Sequence, residues 1–380
     1  MNKAIIAGLA AGVLVVGLIF SPLFNGFPLS AAQAAPTGVT RHYTLIANEM
    51  EVQVAPDNAL HPGGIKYNAM VFNGTIPGPV MASNAGDTVE ITLKNEGKQI
   101  HSIDFHAAIG PSQVLSGNIA AGESKTWTFN TPNSGAFMYH CGADALNGVW
   151  EHIANGMYGA FVVHPTNEAP AKEFYVAFGE IYNSADGGLF VGANGTGSFD
   201  IMKFATEQPD LILTNGMAHR YVPAIGQSVK LDLNANATVF QVKPGELTRW
   251  YILAPGPNEG VSFHFISGQI DVRDGSFKTR NMAPVRNEET WWIPVGSASV
   301  IESVFPEEGL YVGVDHNMAH VLRGGAFAVL ATNNSTADDV PPEAWVPSKA
   351  WLNEHAEMGG SMMGGSAGNN ATSGGNTTSG

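Results

Sequence analysis

A single cysteine lies within a dense group of residues that can bind a metal. Cys141 directly follows His140, and His152 and Met157 come eleven and sixteen residues after it. Two histidines, one thiolate and a weak thioether are the ligands of a mononuclear blue-copper centre. A lone cysteine cannot form an internal disulfide, so the usual reason for a cysteine in an exported chain is absent. The pattern therefore predicts a copper site at Cys141.

The neighbouring histidines predict a second metal close to the first. Adjacent side chains on a strand point to opposite faces, so His140 must point out of a sandwich into which Cys141 points. His101 and His106 are five residues apart, so along a continuous strand they also face opposite sides. The outer site begins with His106 and His140. The inner site comprises His101, Cys141, His152 and Met157.

Two imidazoles do not complete the outer site. His316, at the position nearest to Cys141 in an internal repeat, is the best third candidate, from the same chain or from a neighbouring one. Asp104 falls on the outer side, and His264 takes the place of His106 in the repeat. A carboxylate and an imidazole beside an open metal position can deliver protons to a bound oxyanion. An ordinary core or interface histidine is the alternative for His264.

Composition predicts a strand-and-turn protein around these residues. The chain has 380 residues, of which 44% are apolar and only 13% charged, with Gly 45 and Pro 22. Such a composition favours an all-β fold. We predict two Greek-key β-sandwich domains in tandem, at residues 40–165 and 170–332, followed by a disordered Gly/Ser/Asn/Met tail at 356–380.

Short apolar runs and matching turns support the tandem arrangement. Turn 85–87 matches 244–246, turn 121–124 matches 295–298, and segment 134–141 resembles 308–316. An internal repeat of domain length indicates two copies of one architecture. Strands are predicted at 89–93, 126–129, 160–163, 229–233, 299–302 and 326–330.

The N-terminus and the overall charge bear on location and partners. Lys3 precedes an apolar run at 4–20, and small residues occupy 32–34, so residues 1–34 are predicted to be a signal peptide or an uncleaved N-terminal anchor. In either case the globular part is exported and lies in the periplasm or elsewhere outside the cytoplasm. The net charge of -15 argues against a nucleic-acid partner.

These motifs closely resemble the two-domain copper-containing nitrite reductases, over roughly residues 65–332. The matching segments are 70–79, 101–106, 139–141, 155–157, 263–266, 289–291 and 314–317. The resemblance implies two tandem cupredoxin-like domains, a homotrimer, and one-electron reduction of nitrite to nitric oxide and water. It also implies that a small redox protein, of the cupredoxin or cytochrome c type, supplies the electron.

The resemblance assigns a role to each candidate residue and implies two coppers per chain. The type 1 copper is held by His101, Cys141, His152 and Met157. The type 2 copper is held by His106, His140 and, from the neighbouring subunit, His316. Asp104 and His264 supply protons, Ile266 walls the nitrite pocket, and Glu289 and Thr290 orient His264.

Two features depart from the family, and two rival functions remain. Loop 142–151 is longer than in well-known bacterial members, and His320 is an additional histidine expected at a surface or an interface. A multicopper oxidase would need His-x-His pairs, which this sequence lacks. A cupredoxin electron carrier with a vestigial second site would bind one copper per chain instead of two.

Overall fold

Alternating apolar residues explain the strands of the first half. In the segment Thr88–Asn95, Val89, Ile91 and Leu93 are fully buried, whereas Glu90 and Lys94 between and beside them are not. A period of two places all the apolar side chains on one face, which must be covered by a second layer.

The structure is a computed structural model, and it describes residues 34–57, 61–111, 117–143, 148–184, 196–222, 239–275, 277–356 and 362–363. The strands are β1 Thr40–Ala55, β2 Ile65–Phe72, β3 Met81–Asn84, β4 Thr88–Asn95, β5 Asp104–Phe105, β6 Ser124–Asn130, β7 Gly135–His140, β8 Tyr158–His164, β9 Lys172–Ile181, β10 Thr196–Gly197, β11 Leu211–Thr214, β12 Phe240–Val242, β13 Leu247–Gly256, β14 Val261–Phe265, β15 Ile270–Asp274, β16 Val285–Glu288, β17 Trp291–Ile293, β18 Ser297–Val304, β19 Gly309–Asp315, β20 Ala326–Ala331 and β21 Met362–Met363. Short helices are α1 Val149–Ala154, α2 Ile201–Ala205, α3 Met318–Leu322 and α4 Lys349–Glu354, with a 3-10 turn at Pro342–Ala344.

Two sheets form the first sandwich. One has the order β10-β2-β1-β4-β6, with β21 also paired to β1, and the other has the order β3-β8-β7-β5. In the smaller sheet, β7 lies antiparallel to β8 and to the short β5, with Asp104 opposite His140. This edge places the ends of β5 and β7 side by side.

Two further sheets form the second sandwich, with the orders β11-β9-β13-β18-β15-β16 and β12-β20-β19-β14-β17. Here β14 lies antiparallel to β19, with His264 opposite Val314 and Phe263 opposite Asp315. The β14–β19 pair therefore occupies the place that β5–β7 occupies in the first sandwich.

Three apolar clusters hold the described residues together as one compact unit. One fills the first sandwich and includes Cys141 and Met157. Another fills the second sandwich around Trp250 and Phe327. The third joins residues of both halves, among them Tyr158 and Tyr251, so the sandwiches share a buried interface.

The all-β prediction is confirmed, and the strand predictions at 89–93, 126–129, 160–163, 299–302 and 326–330 fall within β4, β6, β8, β18 and β20. The run at 229–233 lies outside the described residues. The matched turns also agree in conformation: Gly86 and Gly245 have φ values of 96° and 78°, and Gly122 and Gly296 have values of 82° and 73°.

The chain termini were predicted to be a signal or anchor and a disordered tail. Residues 1–33 lie outside the described part of the chain, as does most of the tail. Within the tail, Met362 and Met363 pair with Tyr43 and Thr44 of β1, beyond the segment of β1 that β2 covers. Within the described residues no helix is long and apolar enough to span a bilayer.

Candidate metal centres

The inner site forms where the chain leaves β7 into the core of the first sandwich. Cys141 is fully buried, and its Sγ lies 3.2 Å from His152 Nδ1 and 3.8 Å from His101 Nδ1. Burial raises the pKa of the Cys141 thiol to about 12, although the N–H groups of Ala143 and Ser102 act in the opposite direction. A divalent cation would displace this proton and remove the penalty.

Met157 completes the predicted inner set and is also fully buried. Its carbonyl accepts a hydrogen bond from Cys141 N at 3.0 Å, and its N–H donates to His152 O at 3.1 Å. His152 lies on α1, and Gly156, with φ of 111°, turns the chain from this helix back towards β8. The backbone therefore holds Cys141, His152 and Met157 together.

A carboxylate fixes the first inner histidine from the other side. His101 Nε2–H donates to Glu49 Oε1 at 2.8 Å, so the Nδ1 lone pair faces Cys141. Burial alone would raise the pKa of Glu49, but the N–H groups of Lys98 and Gln99 and the His101 bond lower it overall. Burial lowers the pKa of His101, which favours the neutral imidazole that ligates metals.

The outer site lies on the other face of the same strand end. His140 Nε2 is 3.1 Å from His106 Nε2 and 3.7 Å from Asp104 Oδ2. His140 Nδ1–H donates to the Cys141 carbonyl at 2.9 Å, so a neutral His140 presents its Nε2 lone pair to His106. Desolvation of the His106 ring, and next the His140 ring, lower the pKa of His106, although part of the His106 side chain is open to solvent in the single chain. Two facing imidazole nitrogens fit a shared cation.

The route to this inside–outside arrangement differs from the prediction in one respect. His101 and His106 do not share a continuous strand, because His101 forms a lone bridge with Ile119 and β5 begins only at Asp104. The two imidazoles still separate as predicted: His101 is fully buried, whereas His106 is exposed in the single chain.

The second sandwich carries a matching pair of histidines. The His264 and His316 rings lie 5.3 Å apart, close to the 5.1 Å between His106 and His140. The strand register makes His316 the counterpart of His140, whereas the sequence repeat places His316 nearest to Cys141. Among the described residues, the cluster at His106 and His140 includes Asp104 but not His316.

Residues proposed around His264 lie on or beside the same strands. His264 Nδ1–H donates to the Glu289 carbonyl at 2.5 Å, so the backbone of Glu289 orients the ring. Thr290 follows in the turn before β17, and its side-chain role stays a prediction. Ile266 lies two residues beyond His264 on the same face and is 48% exposed in the single chain.

Three residues that hold the site histidines in place were not predicted from the sequence. Glu49 contacts His101 from 52 residues away, and no motif marks it. The backbone of Gly296, in the second sandwich, hydrogen bonds the His106 ring. Asp315 binds Ser262 N and Asn317 N, at 2.9 and 3.2 Å, and fixes the chain on both sides of His316. The sequence marks Gly296 through the repeated turn pattern and Asp315 through the family-matching segment 314–317, but it does not mark Glu49.

The sequence favours a surface or an interface for His320, whereas the structure places it inside the single chain. It is buried, and its Nδ1–H donates to Asp315 Oδ2 at 2.6 Å. Burial lowers the pKa of His320, but the hydrogen bond and charge of Asp315 outweigh it and raise the pKa overall. His320 therefore supports the Asp315 carboxylate inside the second sandwich.

The fold and the donor sets define a class of protein: copper proteins built from cupredoxin-like sandwiches. A sequence model described as multicopper oxidase matches residues 53–168. The chain is 31% identical to the copper-containing nitrite reductase of Neisseria meningitidis serogroup A, over 73% of this chain and 67% of that protein.

Solved structures agree with these sequence matches. The copper nitrite reductase of Nitrosomonas europaea superposes with a TM-score of 0.67 at 30% identity, covering 81% of this chain and 100% of that one. The Cu-containing nitrite reductase of Thermus scotoductus superposes with a TM-score of 0.65 at 25% identity, over 81% of this chain and 66% of that one. The chain belongs to the family of copper-containing nitrite reductases.

Proposed function

We propose that this protein reduces nitrite by one electron, consuming two protons and releasing nitric oxide and water. The observation that best supports this proposal is that adjacent residues belong to the two sites: Cys141 lies in the inner cluster and His140 in the outer one. An electron delivered to the inner site needs to cross only this covalent path. The alternative functions, a multicopper oxidase or an electron carrier, do not require Asp104 beside a second imidazole pair.

Each chain supplies the ligands for two coppers under this proposal. His101, Cys141, His152 and Met157 hold the type 1 ion, and His106, His140 and a neighbour's His316 hold the type 2 ion. The type 1 copper supplies one-electron transfer, and the type 2 copper supplies a Lewis-acidic site for an anion. The cation also offsets the negative charge of the chain for an anionic substrate.

The side chains around the outer site handle protons and orientation. Asp104 Oδ2 lies 3.7 Å from His140 Nε2, within one water of a substrate oxygen held between the imidazoles. The Nδ1–H of His264 is committed to the Glu289 carbonyl, so its Nε2 is the nitrogen that can exchange a proton. Ile266 presents an apolar wall on the same face, which keeps bulk water away from the reacting oxygens.

A second copy of the chain completes the outer site in this proposal. Ile266 and Trp292 expose large apolar side chains beside His264 and His316. Trp292 lies opposite Ser262, which is two residues from His264 on β14 and therefore on the same face. Exposed apolar patches of this kind usually meet a partner. A cyclic homotrimer would place this face against His106 and His140 of the next subunit.

The proposal extends to the cellular setting. The N-terminal signal or anchor directs the globular part out of the cytoplasm, to the periplasm or an equivalent space, where a denitrification enzyme of this type would work. A small cupredoxin or c-type cytochrome donates the electron to the inner site.

Anaerobic turnover with nitrite and a reduced dye tests the function. We expect nitric oxide to form with one electron consumed per molecule, and two coppers to be measured per chain. His140→Ala is the matched variant, because it removes an outer ligand and leaves Cys141 in place. It should lose nitric oxide formation and one copper while retaining the thiolate charge-transfer band. One copper per wild-type chain and no nitric oxide would favour the electron carrier.

A further inference from the structure

We propose that Glu49 is a positioning residue for the inner site, holding His101 through its outer nitrogen and stabilising the oxidised state of the bound copper. The inference rests on the proposed function, because it takes the Cys141 cluster to be a copper site. Among the described residues, that cluster of close donors contains His101, Cys141 and His152 and no carboxylate. Glu49 is therefore not a member of the donor cluster and contacts it through His101.

A loop of the first sandwich is shaped to receive this carboxylate. Lys98 N and Gln99 N donate to its two oxygens at 2.7 and 3.0 Å, and His101 Nε2–H is a third donor at 2.8 Å. Gly97 leaves the necessary space, since a Cβ there would lie 2.7 Å from Glu49 Oε1. Asn95 closes the loop by accepting from Gly97 N and donating to Gln99 O, at 2.9 and 2.8 Å.

Burial makes the contact effective. The His101 side chain is fully buried, and that of Glu49 is only 22% exposed. Charges interact more strongly in such an environment than in water. A carboxylate that accepts the outer N–H of a ligating histidine fixes the tautomer and ring orientation and makes the metal-facing nitrogen more basic.

The direction of the effect follows from charge. A more basic ligand and a nearby negative charge stabilise the doubly charged cupric ion more than the singly charged cuprous ion. The outer site differs, because His140 Nδ1–H donates to a neutral backbone carbonyl. Glu49 thus lowers the reduction potential of the inner site and favours passage of its electron towards His140.

The test compares copper-loaded full-length Glu49→Gln with wild type by spectroelectrochemistry of the thiolate charge-transfer band. We expect the ratio of reduced to oxidised inner copper, at a fixed applied potential, to rise about tenfold, equal to about 59 mV for one electron. The band should also shift, because the His101 ring loses its fixed orientation. Gly97→Ala should change the same two readouts in the same direction by displacing the carboxylate without removing its charge.

Glu51→Gln is the control, since it makes the same charge change on the same strand at a residue paired with Lys66 and Thr196 instead of His101. We expect the ratio of reduced to oxidised inner copper in Glu51→Gln to stay within about twofold of the wild-type ratio, because exposed charges are screened. A Glu51→Gln shift equal to that of Glu49→Gln, or unchanged potentials in both Glu49→Gln and Gly97→Ala, would overturn the inference. A copper-loaded wild type without the charge-transfer band would instead overturn the copper assignment.

Discussion

The two sandwiches carry the same pair of histidines in the same register at their outer edges, that is, at the ends of the β5–β7 and β14–β19 strand pairs, yet only the first edge adds a cysteine behind the pair. In the first sandwich, Cys141 follows His140 and leads into the core. In the second sandwich, Asn317 follows His316 and accepts from Ala319 N at the start of α3. The outward positions are thus a shared property of the fold, whereas among the described residues the inner cluster of possible metal ligands occurs in the first sandwich.

The interior of the second sandwich uses an ion pair at the equivalent level. Asp315 pairs with Phe263 just as Tyr139 pairs with Phe105, and both Asp315 and Tyr139 are fully buried. Tyr139 donates to a carbonyl, whereas Asp315 binds two N–H groups and His320. The second edge therefore holds the chain around His316 through hydrogen bonds, whereas the first places possible metal ligands on each side of the strand end.

Subunit mixing gives the largest expected effect on this comparison. His140→Ala and His316→Ala remove equivalent residues from the two edges, and each variant alone should lose nitrite reduction by about a thousandfold or more while keeping the Cys141 band. If the edges meet between subunits, co-expression should restore activity, because random assembly gives about one intact site in four in a cyclic trimer. Nitric oxide formation by the purified mixture measures the recovery.

No recovery in the mixture would show that both edges of one site come from the same chain. Retained activity in His316→Ala would remove that residue from the site altogether. Co-expression of His140→Ala with an inactive Cys141→Ser chain is the matched control, since both changes lie in the first sandwich. It should restore far less activity, because His140→Ala chains provide no intact outer site.

Asp104 marks the second chemical difference between the edges. Its counterpart opposite His316 is Ser262, which cannot act as a proton donor of comparable strength. Asp104→Asn should keep both coppers and reduce kcat by about a hundredfold or more, the usual loss on removing a general acid. Ser262→Ala should change kcat by less than about threefold, since the hydroxyl has no comparable role. Equal losses in both variants would contradict the role of Asp104.

Much of this architecture could be predicted from the sequence, because its signals are local. The alternation of apolar and polar residues with period two predicts β4 and β6, whose buried residues alternate in the same way. The turn glycines Gly122 and Gly296 match in conformation as well as in sequence. The residue types of the copper ligands are themselves chemically restrictive. Contacts between distant segments could not be predicted: Glu49 is an ordinary acidic residue until the fold brings it to His101.

The ion pair between His320 and Asp315 predicts a pH-dependent stability contribution that the Tyr139 hydrogen bond, at the equivalent level of the first sandwich, does not make. Since the folded-state pKa of His320 is raised, its contribution is fully present below the ordinary histidine pKa of about 6.5 and is lost as pH rises through the raised value. His320→Gln should therefore cost about 1–2 kcal/mol near pH 6 and less near pH 9. Urea unfolding of variant and wild type at both pH values measures the difference.

Tyr139→Phe is the matched change in the first sandwich. It removes the hydrogen bond from Tyr139 Oη–H to the Pro79 carbonyl, 2.6 Å in length, without altering a charge. We expect a cost of about 1 kcal/mol that is the same at both pH values. A cost of His320→Gln that did not change between pH 6 and pH 9 would argue against an ionised His320.

The smallest expected effects come from the turns that precede β6 and β18. Gly122 and Gly296 adopt similar positive φ values of 82° and 73°, so alanine at either position should cost about 1 kcal/mol of stability. Only Gly296 also touches the outer site: a Cβ there would lie 3.9 Å from His106 Cε1, whereas nothing lies within 4 Å at Gly122. Because that Cβ is in ordinary contact with the ring and the Gly296 backbone hydrogen bonds His106, Gly296→Ala should lower the nitrite reduction rate by about twofold to fivefold and Gly122→Ala should leave it unchanged. Equal rates in both variants, with equal losses of stability, would mean that the second sandwich supplies His106 with a turn of the right shape but no functional contact.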